Sequence, residues 1–314
     1  MELHRPIALL GTDNLLYYRL LPLLESHLQV PVDLFDEKEG ELVVGKNTYP
    51  VHSFQTIDEK KYGVFVLLNQ RKYPLSFDEI AKNGGIICDI YHAFPLPKET
   101  PFLDVEIDSE DIYSNGAYFV LANPLTSILG RALRPFHQCF ELEKVVVTGC
   151  MTPTIKGKRY WQEYLQASTF QIHGKGSLYE NLLPLTNLDS DGYGQLEKTL
   201  IQELKRAFHL PKLEINPTLF FGPIPHTVTF SVSVICKEKI DEKRLIQQIE
   251  QEKNLLYVPI IDAEAIHGGE KIAISRVKKD LDCEYTYNML VHGDPLWVLS
   301  YHILKFIQVK YESL

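Results

Sequence analysis

The sequence predicts an α/β protein in which a nucleotide-binding-type domain precedes an α+β domain. In the first third of the chain, short apolar runs alternate with helix-like segments, a pattern typical of a wound, largely parallel sheet. After the Asn123-Pro124 turn the pattern changes, and residues 226–236 (HTVTFSVSVIC) alternate apolar with hydroxyl side chains. This alternation indicates an antiparallel strand with one buried and one polar face. A last apolar-periodic segment at 295–310 predicts a helix that closes the chain.

The elements of the first part follow from local patterns. Short apolar runs predict strands at 6–11, 32–36, 63–68 and 85–90. Residues 41–51 predict a hairpin with its turn at 45–47, and helices are expected at 14–28 and 76–81. Pro22 is expected to kink or break the first helix, because proline lacks the N–H that a helix interior needs.

The second part begins after a strand at 119–122, where a helix is expected to start at or near Thr126. The buried-strand pattern recurs at 144–149, and apolar residues spaced by four predict a helix at 193–209. Further strands are predicted at 271–277 and 283–291. We therefore expect a mixed or antiparallel sheet with helices on one face.

Composition excludes several classes of function. The 314 residues are 45% hydrophobic and 23% charged, which is ordinary for a soluble globular protein. The net charge of -9 and the lack of a dense Lys/Arg cluster argue against nucleic acid as a partner. No apolar run approaches 18 residues, so no membrane partner is expected. Five scattered cysteines without a CxxC pair, and the absence of a signal-peptide pattern, predict reduced thiols in the cytoplasm.

Four segments, in this order and spacing, resemble the aspartate-semialdehyde dehydrogenase family, particularly its degenerate Usg-type members. They are IALLGTDNLLYYRLLPLLE at 7–25, ANPLTSILGRALRPF with ELEKVVVTGCMTPTIKGKRYWQEYL at 122–165, PIPHTVTFSVSV at 223–234, and ISRVKKD with NMLVHGDPL at 274–296. The resemblance implies a Rossmann-like domain at 1–124, a dimerisation-type domain at 125–293 and a closing helix at 294–314 that packs back on the first domain.

The resemblance also implies a reaction, the reversible reduction of an aspartyl phosphate to the aldehyde by NADPH. The family uses a cysteine thiolate at the start of the helix that follows an asparagine. Alignment on Asn123-Pro124 places Thr126 at that position, whereas alignment from Arg134-Pro135 places Pro124 there. Neither register supplies a cysteine. Thr126 is interpreted as a helix cap rather than a nucleophile, because no base is evident to ionise it.

Other catalytic positions of the family are also changed. The family glutamine corresponds to Met151, and residues 219–225 (LFFGPIP) contain no arginine where the family has its substrate-binding arginine. His226 matches the catalytic histidine and is interpreted as a relic or a structural residue. The chain is therefore predicted to be catalytically inactive. The alternative is an active NAD(P)-dependent oxidoreductase that acts on an aldehyde or acyl phosphate with altered site residues.

Cofactor binding is expected to be weak. The family's three-glycine turn corresponds to Gly11, Asn14 and Tyr17, and the last of these places a large ring where glycine permits close approach to phosphate. Asp36-Glu37-Lys38 replaces the family's Ser/Arg pair, so two carboxylates would repel NADP, although an acidic residue there could bind an NAD ribose. The candidate cofactor-binding residues are Gly11, Thr12, Asn14 and Lys38.

Partners follow in part from the resemblance. It implies a homodimer built through the sheet of the second domain, and a genuine family dehydrogenase is a further candidate partner. The polar face predicted to meet the second copy would carry Thr227, Thr229, Ser231 and Ser233, beside Tyr285 and Tyr287. Lys156, Lys158 and Arg159 could hold a small anionic ligand, but a solvated loop is the preferred interpretation. No metal site is expected.

Overall fold

The computed structural model describes residues 5–90, 102–104, 110–114, 116–172, 174 and 176–312. The chain divides into two compact units. The first contains the chain up to Ala122 and from Leu299 onward, and the second is Asn123–Val298. None of the helices in the described residues is both long and apolar enough to span a membrane.

Eight strands of the described residues form the sheet of the first unit, in the order β3-β4-β2-β1-β5-β6-β8-β7. Neighbouring strands are parallel except for the hairpin of β3 and β4. The strands are β1 Ile7–Leu10, β2 Val32–Asp36, β3 Gly40–Val44, β4 Asn47–Ser53, β5 Val64–Leu67, β6 Ile86–Asp89, β7 Phe102–Leu103 and β8 Tyr118–Leu121, and the helices are α1 Tyr17–His27 and α2 Phe77–Lys82.

The central strands of this sheet are apolar on both faces. All four residues of β1, β5 and β6 are buried, as expected for parallel strands covered on both sides. The β3–β4 hairpin turns at Gly45, whose φ of +61° favours glycine. Ser76 caps α2 by accepting the N–H of Glu79 with its side chain. The predicted largely parallel sheet is confirmed.

Seven strands of the described residues form the sheet of the second unit, in the order β10-β11-β9-β12-β15-β14-β13. This sheet is mixed, since β11 runs parallel to β9 whereas β12 is antiparallel to both β9 and β15. The elements are α3 Pro124–Phe140, β9 Leu142–Met151, α4 Lys158–Phe170, β10 Leu183–Pro184, α5 Gln195–Ala207, β11 Glu214–Phe221, β12 Val228–Cys236, α6 Glu242–Gln251, β13 Leu255–Tyr257, β14 Ile272–Lys279, β15 Thr286–Gly293 and α7 Pro295–Glu312.

The strand β12 has the two faces that its sequence predicts. Val228, Phe230, Val232 and Val234 are buried, whereas Ser231 is exposed on the other face. Close packing underlies the buried face: a Cβ on Gly149 of β9 would lie 2.6 Å from the Leu219 side chain and 2.9 Å from that of Phe230. The predicted strand with one buried and one polar face is therefore confirmed, within the mixed sheet that the sequence also predicts.

The last helix, α7, begins in the second unit and continues into the first from Leu299 onward. In the first unit, Tyr311 donates its hydroxyl to the carbonyl of Arg5 at 2.6 Å, and Lys310 donates to the carbonyl of Ser114 at 3.0 Å. These residues of the helix belong to the same unit as Arg5 and Ser114.

Several predicted bounds differ from the structure. The first helix begins at Tyr17 rather than at Asn14, and it continues through Pro22. The helix expected near Thr126 begins two residues earlier, because Asn123 caps it and Pro124 suits the first helical position. The sequence did not predict four further elements, namely α4, α6, β11 and β13. Of these, α6 has a recognisable start signal in Asp241, whose carboxylate accepts two N–H groups of the first turn.

Candidate functional site

The start of α3 is the first candidate position. Asn123 is the N-cap, and its side-chain oxygen accepts the N–H of Leu125 at 3.0 Å. Thr126 lies in the first turn and is 0% exposed. Its hydroxyl donates to Oε2 of Glu203 at 2.6 Å, and the same oxygen accepts the N–H of Asn123 at 2.9 Å. Thr126 is therefore not the helix cap that the sequence suggested.

Glu203 was missed in the sequence. It lies on α5 and is 4% exposed, so its carboxylate is buried against the start of α3. The signal was a charged residue on the apolar face of a helix, beside Leu200 and Leu204. No base was evident beside Thr126 in the sequence, whereas the structure places this carboxylate in contact with its hydroxyl. The carboxylate is nevertheless a far weaker base than an alkoxide, so the contact anchors the helix start rather than ionising the hydroxyl.

Met151 ends β9 and is fully buried, so the position of the family glutamine holds an apolar side chain. The loop that follows is fixed to the loop before β12. Thr152 donates its hydroxyl to the carbonyl of Pro225 at 2.6 Å, and Tyr164 of α4 donates to the carbonyl of Pro223 at 3.1 Å. These two bonds place His226 at the start of β12.

His226 is half-buried and packs among aromatic rings. Its ring stacks on that of His267, with centroids 4.1 Å apart and planes 19° apart, and the centroid of Trp161 lies at 5.2 Å. His267 was not predicted from the sequence, since it lies in a short turn far along the chain from His226. Thr126 and His226 thus sit in different clusters: one contacts Glu203, and the other packs with rings.

Asp294 organises the second imidazole. Its Oδ2 lies 3.0 Å from Nδ1 of His267, and it also accepts the N–H of Gly268. Its Oδ1 accepts the N–H groups of Leu296 and Trp297 at 3.1 and 3.2 Å, which caps the start of α7. The buried carboxylate therefore fixes the orientation of the His267 ring, as carboxylates do in acid–base pairs.

The turn after β1 is the candidate cofactor position. Gly11 has a φ of +96°, and a Cβ there would lie 2.6 Å from Nδ2 of Asn69. Asn14 is engaged within the chain, since Nδ2 donates to the carbonyl of Leu68 and Oδ1 accepts the N–H of Leu16. Asn14 therefore shapes the turn that leads into α1. Glycine is needed at Gly11 for both its φ and the close approach of Asn69.

Thr12 of the same turn is bound to the end of β2. Its N–H and hydroxyl both donate to Oδ2 of Asp36, at 2.7 and 2.5 Å. Nη1 of Arg71 lies 2.8 Å from Oδ1 of Asp36 and 3.7 Å from the Glu37 carboxylate. Lys38, the other candidate, is exposed. Arg71 was missed because nothing in the local sequence links it to β2.

These contacts do not fit a dinucleotide phosphate at this turn. A phosphate site of this kind needs free N–H groups and room for close approach. Here the N–H of Thr12 is bound to Asp36, and Tyr17, which replaces the third glycine, is a fully buried ring. Both carboxylate oxygens of Asp36 are also engaged, so neither is free for a ribose hydroxyl.

The basic cluster near α4 is less concentrated than its sequence suggests. Nζ of Lys156 lies 4.1 Å from the centroid of the Tyr160 ring, and Nε of Arg159 pairs with Glu163 at 3.0 Å. Lys158 is the first residue of α4 rather than part of a loop. In the part of the chain that the structure describes, no group of three or more His, Cys, Asp or Glu side chains is placed to hold a metal ion.

The chain was compared with known proteins by sequence and by structure. No protein-family model matches the chain. Aspartate-semialdehyde dehydrogenase from Bacillus subtilis is 24% identical, with 72% of this chain and 70% of that protein covered. The USG-1 protein homolog of Pseudomonas aeruginosa is 20% identical, with 95% and 89% covered. The crystal structure of aspartate-semialdehyde dehydrogenase II from Vibrio cholerae superposes with a TM-score of 0.88, at 18% identity, over 98% of this chain and 99% of that one. The chain is a relative of the aspartate-semialdehyde dehydrogenases.

The similarity to aspartate-semialdehyde dehydrogenases agrees with the resemblance seen in the sequence, and the superposition confirms the predicted fold. The similarity also makes the side chains at the family's site positions informative. The sequence predicts Thr126 or Pro124 at the position of the family cysteine, and the hydroxyl of Thr126 is bound to a buried carboxylate. In place of the expected glutamine the chain has the buried Met151, and β11 ends in the apolar residues Phe220 and Phe221 rather than in an arginine.

Proposed function

We propose that the chain is a non-catalytic, homodimeric relative of aspartate-semialdehyde dehydrogenase that serves in the cytoplasm as a binding or interaction protein. The observation that carries the proposal is Thr126, which stands where the family has its cysteine, is fully buried and is hydrogen-bonded to Glu203. The five free cysteines support the cytoplasmic location.

The chemistry of the position supports this proposal. Attack on an acyl phosphate needs an ionised or base-activated nucleophile that the substrate can reach. Thr126 offers an alcohol whose proton points at a carboxylate and whose oxygen has no exposed surface. The thioester that accepts hydride in the family reaction would be an ester here, which is less electrophilic.

An activity assay tests the proposal. The purified chain is expected to form no NADPH from aspartate semialdehyde, NADP and phosphate, with the Bacillus subtilis enzyme assayed beside it as the active relative. The variants Thr126→Val and His226→Ala serve as controls for trace activity. Phosphate-dependent NADPH formation that either substitution abolishes would show that the site is working and the proposal wrong.

A second candidate function is an NAD(P)-dependent oxidoreductase that uses altered site residues. One observation favours it: Asp294 orients His267 against His226, which leaves two adjacent imidazoles near the start of α4. An imidazole held by a carboxylate is a common acid–base arrangement. The same assay, repeated with NAD and with other aldehydes, separates the two candidates. Only the second candidate predicts turnover, and it predicts that His267→Ala abolishes that turnover.

The proposed dimer uses the sheet face of the second unit that carries Ser231. A row of exposed hydroxyl residues crosses neighbouring strands there, with Ser231 paired to Thr148 and Thr148 paired to Thr218. Tyr285 is 48% exposed and suits such an interface. Tyr287 does not belong to it: its ring is buried, its hydroxyl faces Glu242 of α6, and its register partner is the buried Val234. Thr227 is likewise buried.

Light scattering measures the dimer directly. We expect a mass of twice 36.1 kDa at micromolar concentration. Ser231→Arg and Thr229→Arg should each shift the protein to monomers, because they bury an unpaired charge in the interface. Ser26→Arg, which adds the same charge at an exposed site in the first unit, should leave the mass unchanged. A monomer for the unmodified chain would refute the dimer.

A further inference from the structure

The turn after β1 contains a set of hydrogen-bond donors that converge on one carboxylate. Asp36 accepts the N–H and the hydroxyl of Thr12 through Oδ2. It accepts the N–H of Glu37 and pairs with the guanidinium of Arg71 through Oδ1. Its side chain is 14% exposed and that of Arg71 is 29% exposed, so the cluster lies at the surface of the first unit.

These donors are of the kind that bind phosphate. Backbone N–H groups of turns, a threonine hydroxyl and an arginine form strong, charge-assisted bonds with anionic oxygens. A further donor lies against the same turn, since Nδ2 of Asn69 is buried beside Gly11 and has no hydrogen-bond partner among the described residues. The carboxylate of Asp36 thus takes the place that an anion would occupy.

We propose that Asp36 is an internal substitute for a phosphate, and that it is the residue that excludes phosphorylated nucleotides from this turn. The proposal rests on the non-catalytic role given as the proposed function and on the weak cofactor binding that the sequence predicts, and it assigns a cause to that weak binding. Removal of the carboxylate leaves Thr12 and Arg71 as a vacant anion site. The ligand class that this site would take is a nucleotide phosphate group.

The charge state of Asp36 agrees with this role. Burial by itself would raise the pKa of Asp36, but the hydrogen bonds from Thr12 and Glu37 and the charge of Arg71 outweigh it and hold the pKa below its usual value. The carboxylate is therefore ionised at neutral pH. A permanent negative charge at this place repels a phosphate as well as occupying its donors.

Tyr17 offers a competing explanation. Its ring replaces the third glycine of the family turn and is fully buried, and its hydroxyl has no hydrogen-bond partner among the described residues. If the ring alone excludes nucleotides, removal of the carboxylate changes nothing. The two explanations therefore differ in which single substitution restores binding.

Asp33 supplies a matched control on the same strand. Its carboxylate pairs with Lys61 at 2.8 Å and accepts a hydrogen bond from Tyr62. Burial opposes ionisation of Asp33, yet the bonds from Lys61 and Tyr62 hold its pKa below the usual value, as at Asp36. It touches no N–H of the β1 turn. Asp33→Ser thus changes the net charge as Asp36→Ser does, without vacating the turn.

The experiment measures NADP binding by calorimetry, and thermal stabilisation by inorganic phosphate. The proteins compared are the unmodified chain, Asp36→Ser, Asp33→Ser, Tyr17→Ala and Asp36→Ser/Arg71→Ala. Asp36→Ser is expected to bind NADP at least about tenfold more tightly than the unmodified chain, which corresponds to a difference of about 1.4 kcal/mol. Only this variant should be stabilised by phosphate. The second substitution, Arg71→Ala, should cancel the gain. Asp36→Ala, which also removes the carboxylate, repeats the test if the serine variant does not fold.

Three results would overturn the inference. Asp36→Ser could bind NADP no better than Asp33→Ser, or its gain in NADP affinity could survive the loss of Arg71. In the third, Tyr17→Ala would gain NADP affinity while Asp36→Ser would not. Failure of the proposed function looks different, because it would appear as phosphate-dependent NADPH formation by the unmodified chain. Micromolar binding of NADP by the unmodified chain would refute the weak cofactor binding on which this inference rests, whatever the variants do.

Discussion

Two segments, the turn after β1 in the first unit and the start of α3 in the second, are held by the same pair of groups in different surroundings. At the turn after β1, Thr12 gives its hydroxyl and its N–H to Asp36. At the start of α3, Thr126 gives its hydroxyl to Glu203, which also accepts the N–H of Asn123. In each case a carboxylate of the chain itself satisfies groups that, in a ligand-binding protein of this fold, face a ligand.

The difference between the two lies in their exposure. Asp36 is reached by water and balanced by Arg71, whereas Glu203 is buried within the second unit. A group at the surface can be replaced by water or by another anion at small cost, but a buried one leaves its partners unpaired when it is removed. The turn after β1 is therefore a place where binding can be restored, and the start of α3 is part of the structural core.

Removal of Glu203 is expected to give the largest effect. Glu203→Ala leaves the hydroxyl of Thr126 and the N–H of Asn123 buried without an acceptor, and should lower the free energy of unfolding by about 3 kcal/mol. Asp36→Ser should cost only about 1 kcal/mol, since water replaces the lost oxygens. Urea denaturation followed by circular dichroism measures both.

Glu203→Gln is the matched control, because its amide oxygen can take the place of Oε2 and accept both donors without the negative charge. It should cost about half as much as Glu203→Ala. Equal losses in Glu203→Ala and Asp36→Ser would mean that burial does not distinguish the two sites, and the comparison would fail.

The residues of the two sites differ in how far the sequence could predict them. Thr12, Thr126 and His226 stand at the ends of strands or the starts of helices, positions that local periodicity locates within two or three residues. Their partners come from distant parts of the chain: Glu203 is 77 residues from Thr126, and Arg71 is 35 from Asp36. No local pattern encodes such pairs, because they form only when separate elements pack.

Distant pairing also explains why the sequence placed Tyr287 on the wrong face of the sheet. Alternation along β15 was visible in the sequence, but the register that pairs Tyr287 with Val234 is a property of two strands together. A shift by one residue moves every side chain to the opposite face, so a strand prediction without a register cannot assign faces. The fold class was predictable because it depends on the order of elements and not on their registers.

A buried charge on α7 extends the comparison to a site without a carboxylate. Lys310 of α7 is 4% exposed, and Nζ has a carbonyl partner in Ser114 and lies 3.8 Å from the centroid of the Phe119 ring. Burial lowers the pKa of Lys310 to about 8. Unlike Asp36 and Glu203, which satisfy donors around them, this ammonium is held in an apolar environment that disfavours its charge.

Lys310→Met is therefore expected to stabilise the protein, by about 2 kcal/mol at pH 7, once the loss of the bond to Ser114 is included. Because the pKa is lower in the folded chain than in the unfolded chain, the unfolded chain binds the extra proton between pH 8 and the usual lysine range near 10.5. The cost of the buried charge is complete below pH 8 and disappears as the pH rises through that window.

The difference in unfolding free energy between Lys310→Met and the unmodified chain, measured by urea titration at several pH values, should shrink accordingly. Lys305→Met on the same helix, at a half-buried position, controls for the change in side chain. A variant that is destabilised at pH 7, with no dependence on pH up to 10, would show that the ammonium is well accommodated and that burial without a carboxylate carries no cost here.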